Sequence, residues 1–237
     1  MSQYICVDIG GTSIKHGVLD ENAIIKECNQ TKTEAWLGGA AVLDKVKTIG
    51  KQYKEQYENI EGICISTAGM VDPEEGKIVF AGELMPGYTG TCIKKELEKA
   101  LEMPCEVEND VNCAGLAEYV SGSAKESHIM FCATVGTGIG GCAIVNGRVF
   151  HGASNSACEV GYIPMGDSDF QTLGASSILV RKVAEKKIEP LDMWDGKKIF
   201  ALAEKGDKVC ISAIKEMCDV LGKGLATICY VLNPDTI

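Results

Sequence analysis

The chain has 237 residues, 46% of them hydrophobic and 24% charged, with a formal net charge of −10. That length can bury a substantial core in one or two domains. The acidic balance argues against nucleic acid or an anionic membrane surface as the main partner, and no apolar run approaches the length of a membrane span.

The opening residues MSQYICVD pass directly into a predicted strand, so no signal peptide is expected. Twelve cysteines are scattered along the chain without a CxxC pair. They read as small core residues of a reducing, cytoplasmic protein, not as disulfides or a zinc knuckle.

Tyr4 to Asp20, YICVDIGGTSIKHGVLD, predicts strand, glycine turn, strand. Gly10 and Gly11 have no Cβ, so their N–H groups can approach an anion closely. Asp8 stands just before the turn, where a carboxylate can hold Mg2+ directly or through water. No GxxxxGK[ST] pattern is present, so this is not a P-loop. An ordinary core strand with a Gly-Gly hairpin is the plainer reading of the stretch alone.

Glu21 to Thr33 continues the meander. Trp36 to Glu58 carries Leu37, Val42, Val46 and Ile49 at helical spacing. Ile60 to Ser66 reads as a short buried strand. Thr67 to Gly87 is a decorated connection with a small hairpin turning at Pro73 and Gly76, long enough to suggest a binding loop. A helix is expected over Thr91 to Leu101, then a strand from Cys105 to Glu108 after Pro104. Glu108-Asn109-Asp110 follows at the start of another helix, where Asp110 reads either as a cap or as a reactive carboxylate. The Asn109 amide can both donate and accept a hydrogen bond.

Phe131 to Val149, FCATVGTGIGGCAIVNGRV, repeats the strand–glycine-turn–strand idea, with Thr137 and Gly138 in the turn. Two such elements suggest two related lobes. A helix is expected over Ala175 to Lys187 and a long one over Asp207 to Leu232, with less regular chain between Ile188 and Lys205. Gly222 and Gly224 permit close packing of the last helix. Among the histidines, His16 reads as structural, and neither it nor His128 nor His151 has a spaced metal-binding partner.

DIGGTSIK, ENDVNCAGLAE (Glu108 to Glu118) and TVGTGIGGCAIVNGRVFHGASNSACEVGY (Thr134 to Tyr162) together resemble the ROK (repressor, open reading frame, kinase) family of sugar kinases. The resemblance covers nearly the whole chain. It implies an α/β, actin-like and hexokinase-like ATPase fold with nucleotide and sugar between two lobes, residues 1–118 and 119–237. It implies ATP and Mg2+ as co-substrate and cofactor, and Asp110 as the base that takes the proton from the attacking sugar hydroxyl. Asn109, Glu159, Gly69 and Tyr162 would line the sugar site. Asp8, Gly10, Gly11, Thr12, Lys15, Thr137 and Gly138 would serve the nucleotide, with Asp8 holding the metal. Homodimers are common in the family.

Three departures from the family pattern stand out. Glu83 or Leu84 stands where an Asn is usual, and Tyr162 replaces a His. The zinc-binding cysteines and the acidic residue that ends their cluster are absent from Gly166 to Leu179, GDSDFQTLGASSIL, so no zinc is expected. The family's continuation beyond Asn233-Pro234, which reaches the adenosine, is also not represented. The resemblance thus leaves two readings: an ATP-dependent kinase of a hexose or hexoside, usually at the 6-position, or a sugar-binding relative without kinase activity. A ROK repressor would carry a DNA-reading helix-turn-helix before residue 4.

Overall fold

The computed structural model describes residues 2–237. Every second residue of β1 (Gln3–Ile9) is buried: Ile5, Val7 and Ile9 enter a core, while Tyr4, Cys6 and Asp8 lie on the other face. That alternation is the period of a pleated strand. β2 (Ser13–Asp20) pairs antiparallel with β1, and β3 (Ile25–Lys32) antiparallel with β2. After α1 (Gly39–Gln56) comes β4 (Ile60–Thr67), which lies parallel to β1. The expected small hairpin is present as β5 (Met70–Asp72) and β6 (Lys77–Phe80). Then come α2 (Ile93–Leu101), β7 (Cys105–Asn109), parallel to β4, and α3 (Asp110–Val120). The sheet order is β3-β2-β1-β4-β7.

Val42, Val46, Ile49 and Tyr53 of α1 and Ile93, Leu97 and Leu101 of α2 join Ile5, Val7, Ile9, Ile63 and Ile65 in one core. α1 begins later than its periodicity suggests. Ala35–Leu37 form a separate 3-10 turn, and Gly38 follows at φ 89°, a conformation that favours glycine. A Cβ at Gly39 would lie 2.8 Å from the Tyr88 backbone, so that start is also closely packed.

The chain divides into two compact units between Cys113 and Ala114, inside α3, a few residues before the division after Glu118 read from the sequence. In the second unit, β8 (Ile129–Val135), β9 (Ile139–Val145) and β10 (Arg148–Val149) form an antiparallel sheet. β11 (Pro164–Met165) and β12 (Ser168–Asp169) form a small hairpin. Four helices complete the unit: α4 (Phe170–Gly174), α5 (Ser176–Lys187), α6 (Gly196–Glu204) and α7 (Lys208–Leu232).

α6 occupies a stretch expected to be irregular. The Asp195 carboxylate accepts from the Lys198 N–H, so Asp195-Gly196 begins a helix instead of making a free turn. Asp207 caps α7 in the same way, through the N–H groups of Val209 and Cys210. Lys187, bonded to the Asp207 carboxyl, holds it down to about 2, with the cap bond from Cys210 adding to the effect. Gly224 is buried and lets α7 approach Phe170, whose ring carbons would lie 2.3–2.5 Å from a Cβ there. Gly222 is exposed and meets nothing, so only one of the two glycines serves close packing. Among the described residues no helix is long and apolar enough to cross a membrane.

Candidate functional site

In the first unit the site is built at the C-terminal ends of β1, β4 and β7. Strand register sets a polar row on the face opposite the core. Asp8 lies opposite Lys15 of β2 on one side and Ser66 of β4 on the other, and Ser66 lies opposite Glu108 of β7. The Ser66 hydroxyl donates to Asp8 Oδ1 at 2.9 Å. Lys15 Nζ stands 3.6 Å from Asp8 Oδ2, and both side chains are substantially exposed, so solvent screens that pair. Glu108 Oε1 accepts from the Asn109 N–H at 2.7 Å and from Asn112 Nδ2 at 2.9 Å.

The first glycine turn, Gly10-Gly11-Thr12, is closed by the Gly10 N–H donating to the Ser13 carbonyl at 3.1 Å. It is tied from outside by Thr33, which is fully buried. The Thr33 hydroxyl donates to the Gly10 carbonyl at 2.6 Å, and its N–H to the Thr12 carbonyl at 3.1 Å. A Cβ at Gly11 would meet nothing within 4 Å, which leaves that side of the turn open to a ligand.

β7 runs straight into α3, and this junction places Asp110. Asn109 Oδ1 accepts from the N–H groups of Val111 at 2.9 Å and Asn112 at 3.2 Å, so Asn109 caps the helix. Its Nδ2 donates to the Gly69 carbonyl at 2.9 Å and to Asp110 Oδ1 at 3.0 Å. Both lone pairs and both amide hydrogens are therefore engaged, and Asn109 can take a sugar hydroxyl only by exchanging one of these bonds. Gly69 holds φ 101°, and a Cβ there would lie 2.8 Å from the Phe80 carbonyl oxygen.

The Asp110 side chain reaches solvent, yet the protein around it withdraws water from the carboxyl and pushes it above the usual carboxylate range. The charge of Asp8 acts in the same direction. Bonds from the Val111 N–H and the Asn109 amide oppose the rise. An acceptor with raised basicity beside a second carboxylate suits proton transfer.

In the second unit the turn Gly136-Thr137-Gly138 joins β8 to β9. The start of α5 holds it: Ser176 Oγ donates to the Val135 carbonyl at 3.1 Å and Ser177 Oγ to the Thr137 carbonyl at 2.6 Å. Gly138 and Gly161 both border Gln171, whose Oε1 would lie 2.7 Å and 2.9 Å from a Cβ at each. Gln171 therefore links the glycine turn to the 3-10 turn Val160–Tyr162, which Glu159 precedes. Glu159 and Tyr162 are exposed.

The first unit thus brings together Asp8, Gly10, Gly11, Thr12, Lys15, Gly69, Asn109 and Asp110. The second holds Thr137, Gly138, Glu159 and Tyr162. Ser66, Thr33, Asn112, Gln171, Ser176 and Ser177 were not singled out from the sequence. Except for Asn112, which bonds to Glu108 one helical turn before it, their partners are distant in the chain, and only register or helix packing reveals them.

The chain as a whole is similar to known proteins. An uncharacterized protein of Clostridium perfringens is 45% identical over 100% of this chain and 80% of its own length. The β-glucoside kinase of Klebsiella pneumoniae is 31% identical over 97% of this chain and 78% of its own length. Among solved structures, a ROK family glucokinase from Streptomyces griseus, in complex with glucose and AMPPNP, superposes with a TM-score of 0.84 at 26% identity. It is matched by 98% of this chain over 81% of its own. A ROK family protein from Streptococcus pneumoniae, in complex with sucrose, gives 0.83 at 30% identity, with 98% and 78% covered. The fold is the actin-like ATPase fold of these kinases. With residues 4–237 matching the family's pattern from the first glycine turn onward, the chain belongs to the ROK family.

Proposed function

We propose that this chain is an ATP-dependent carbohydrate kinase that phosphorylates a hydroxyl of a hexose or hexoside, at the 6-position, with Asp110 as general base. The observation that carries the reading is the Asp110 carboxyl. It is raised in basicity, fixed by Asn109 and Val111, and feels the charge of Asp8, with β1 and β7 ending on either side of β4 in the same sheet. The relative named for β-glucosides directs the substrate class toward β-glucosides, with glucose as the parent sugar.

In the reaction the sugar oxygen attacks the γ-phosphorus of ATP, the bond to the bridging oxygen breaks and ADP leaves. The hydroxyl proton passes to an Asp110 oxygen. Asn109 Nδ2 donates to Asp110 Oδ1 and to the Gly69 carbonyl, tying the carboxylate to the Gly69 loop, so Asn109 acts on the sugar mainly through the group it positions. Glu159 and Tyr162 supply sugar contacts in this reading, and Gly69 shapes the loop beside Asn109. Gly10, Gly11, Thr12, Thr137 and Gly138 offer backbone groups to phosphates, and Lys15 adds a positive charge beside Asp8.

The donor set suits hydrated Mg2+. The Asp8 carboxylate is oriented by Ser66 and still reaches solvent, which fits an ion that keeps several waters. Mg2+ bound with ATP neutralises phosphate charge. No zinc enters this reading, since Gly166 to Leu179 contains neither Cys nor His.

The test is incubation of the purified protein with Mg2+ and ATP over hexoses, N-acetylhexosamines and β-glucosides, with NMR of the product. A 6-phosphate that forms with a β-glucoside or glucose supports the reading. A folded protein that yields no sugar phosphate from any of them overturns it.

A further inference from the structure

One row below Asp8 and Ser66, on the same face of the sheet, the register places two cysteines opposite each other: Cys6 of β1 and Cys64 of β4. They sit on neighbouring parallel strands with side chains on the same side, away from the helices of the core. Cys64 is exposed, Cys6 is half-buried, and the two thiols are near enough to influence each other.

The row is open beside the pair. Gly17 lies opposite Cys6 on its other side and carries no side chain. A Cβ there would fall 2.0 Å from the Glu27 carbonyl oxygen, so the pleat itself demands glycine. Glu106 lies opposite Cys64. A third thiol, Cys113 in the first turns of α3, lies near Ser66. Neighbouring strands run about 4.8 Å apart, and disulfides span Cα separations of about 4.4–6.8 Å. Opposed residues on adjacent strands therefore fall within the Cα range of a disulfide.

We infer that Cys6 and Cys64 form a reversible dithiol–disulfide site, closed by a peroxide or by exchange with a small-molecule disulfide. None of the catalytic roles above uses these two residues. With hydrogen peroxide, the exposed Cys64 sulfur attacks the O–O bond, takes one oxygen as a sulfenic acid and releases the other as water. The Cys6 sulfur then attacks the Cys64 sulfur. An S–S bond forms, the S–O bond breaks, and a second water leaves with the Cys6 proton. Two thiols are oxidised by two electrons and one peroxide is reduced to two waters. A thiol reductant reverses the closure by exchange.

The experiment treats the reduced 237-residue protein with hydrogen peroxide, blocks the remaining thiols, and maps its peptides by mass spectrometry. The expected result is a linked pair carrying Cys6 and Cys64, lighter than the two reduced peptides by two hydrogens and separated again by dithiothreitol. Cys113→Ser retains the link, whereas Cys6→Ser or Cys64→Ser abolishes it. Wild-type mapping decides the matter even where a variant folds poorly. Cys64 joined to another cysteine, Cys64 carried only to sulfenic or sulfinic acid, or both residues still reduced after treatment overturns the inference. The readout is a mass, so it stands or falls independently of kinase activity.

Discussion

The Ser66 hydroxyl donates to Asp8 Oδ1 across 2.9 Å, from the position directly opposite on the neighbouring parallel strand. The bond fixes a carboxylate that faces the first glycine turn. Ser66→Ala removes it without disturbing the core face of β4. A hydrogen bond of this kind contributes about 0.5–1.5 kcal/mol net, so the Mg2+ concentration for half-maximal turnover rises about two- to tenfold. The KM for sugar stays near wild type. Titration of Mg2+ at saturating sugar checks this, and Ser66→Thr restores most of the loss.

With Asp110 as the proposed base, its ionisation is expected to set the acid limb of activity. Its folded-state carboxyl lies above the usual value, and the base works only when ionised. Turnover therefore falls as pH drops through that raised value, at higher pH than an ordinary carboxylate would give. The stability sign is opposite to that of an ion-paired acid. The folded state holds the proton more tightly, so ionisation costs stability as pH rises from the ordinary carboxylate value through the raised one. Since the side chain reaches solvent, Asp110→Asn leaves the melting temperature unchanged or slightly higher, as a thermal melt at neutral pH will show.

Gly69→Ala tests the loop that Asn109 holds. At φ 101° and 2.8 Å from the Phe80 oxygen, a methyl group strains the backbone by about 1–3 kcal/mol and shifts the Gly69 carbonyl off Asn109. The prediction is a lowered melting temperature together with a kcat loss greater than that of an exposed control glycine such as Gly82, whose Cβ would meet nothing.

Two glycines of α7 should respond in opposite directions. Gly222→Ala meets open space and gains about 1 kcal/mol of helix propensity. Gly224→Ala gains the same propensity but drives a methyl group into the Phe170 ring, and overpacking of this kind costs about 1–3 kcal/mol. Denaturant midpoints should rise for the first and fall for the second.

Closure of the Cys6–Cys64 pair should reach the site two residues further along the same strands. Peroxide treatment lowers sugar-dependent turnover severalfold, dithiothreitol restores it, and Cys64→Ser resists the loss. Unchanged turnover in a protein shown by mass to carry the bond would separate the thiol site from the kinase reaction.

What could be read from the chain alone follows from how local each signal is. β1, its glycine turn and β2 form one contiguous hairpin, so alternation and Gly10-Gly11 expose both the strands and the placement of Asp8. The helix beginning at Asp110 was visible for the same reason. The partners of those residues were not. Ser66 meets Asp8 through a parallel pairing that spans α1, and Thr33 ties the glycine turn from the far end of the meander.

Asn109 shows a different limit. Its amide suited a sugar hydroxyl, while the cap reading fell on Asp110; in the fold the helix, the Gly69 carbonyl and Asp110 already engage all of the Asn109 amide. α6 was obscured because Asp-Gly signals a turn as readily as a capped helix start. Glu159 and Tyr162 lie beside a turn whose link to Gly138 runs through Gln171, a residue with no signal of its own.

The most direct measurement is sugar-dependent ADP release by the wild type and by Asp110→Asn, side by side, with circular dichroism to show that both are folded. The account predicts turnover by the wild type and a loss of about 10²–10⁴-fold in the variant. An Asp110→Asn protein that retains wild-type turnover would contradict Asp110 as the base, and a folded wild type that releases no ADP with any sugar would contradict the kinase itself.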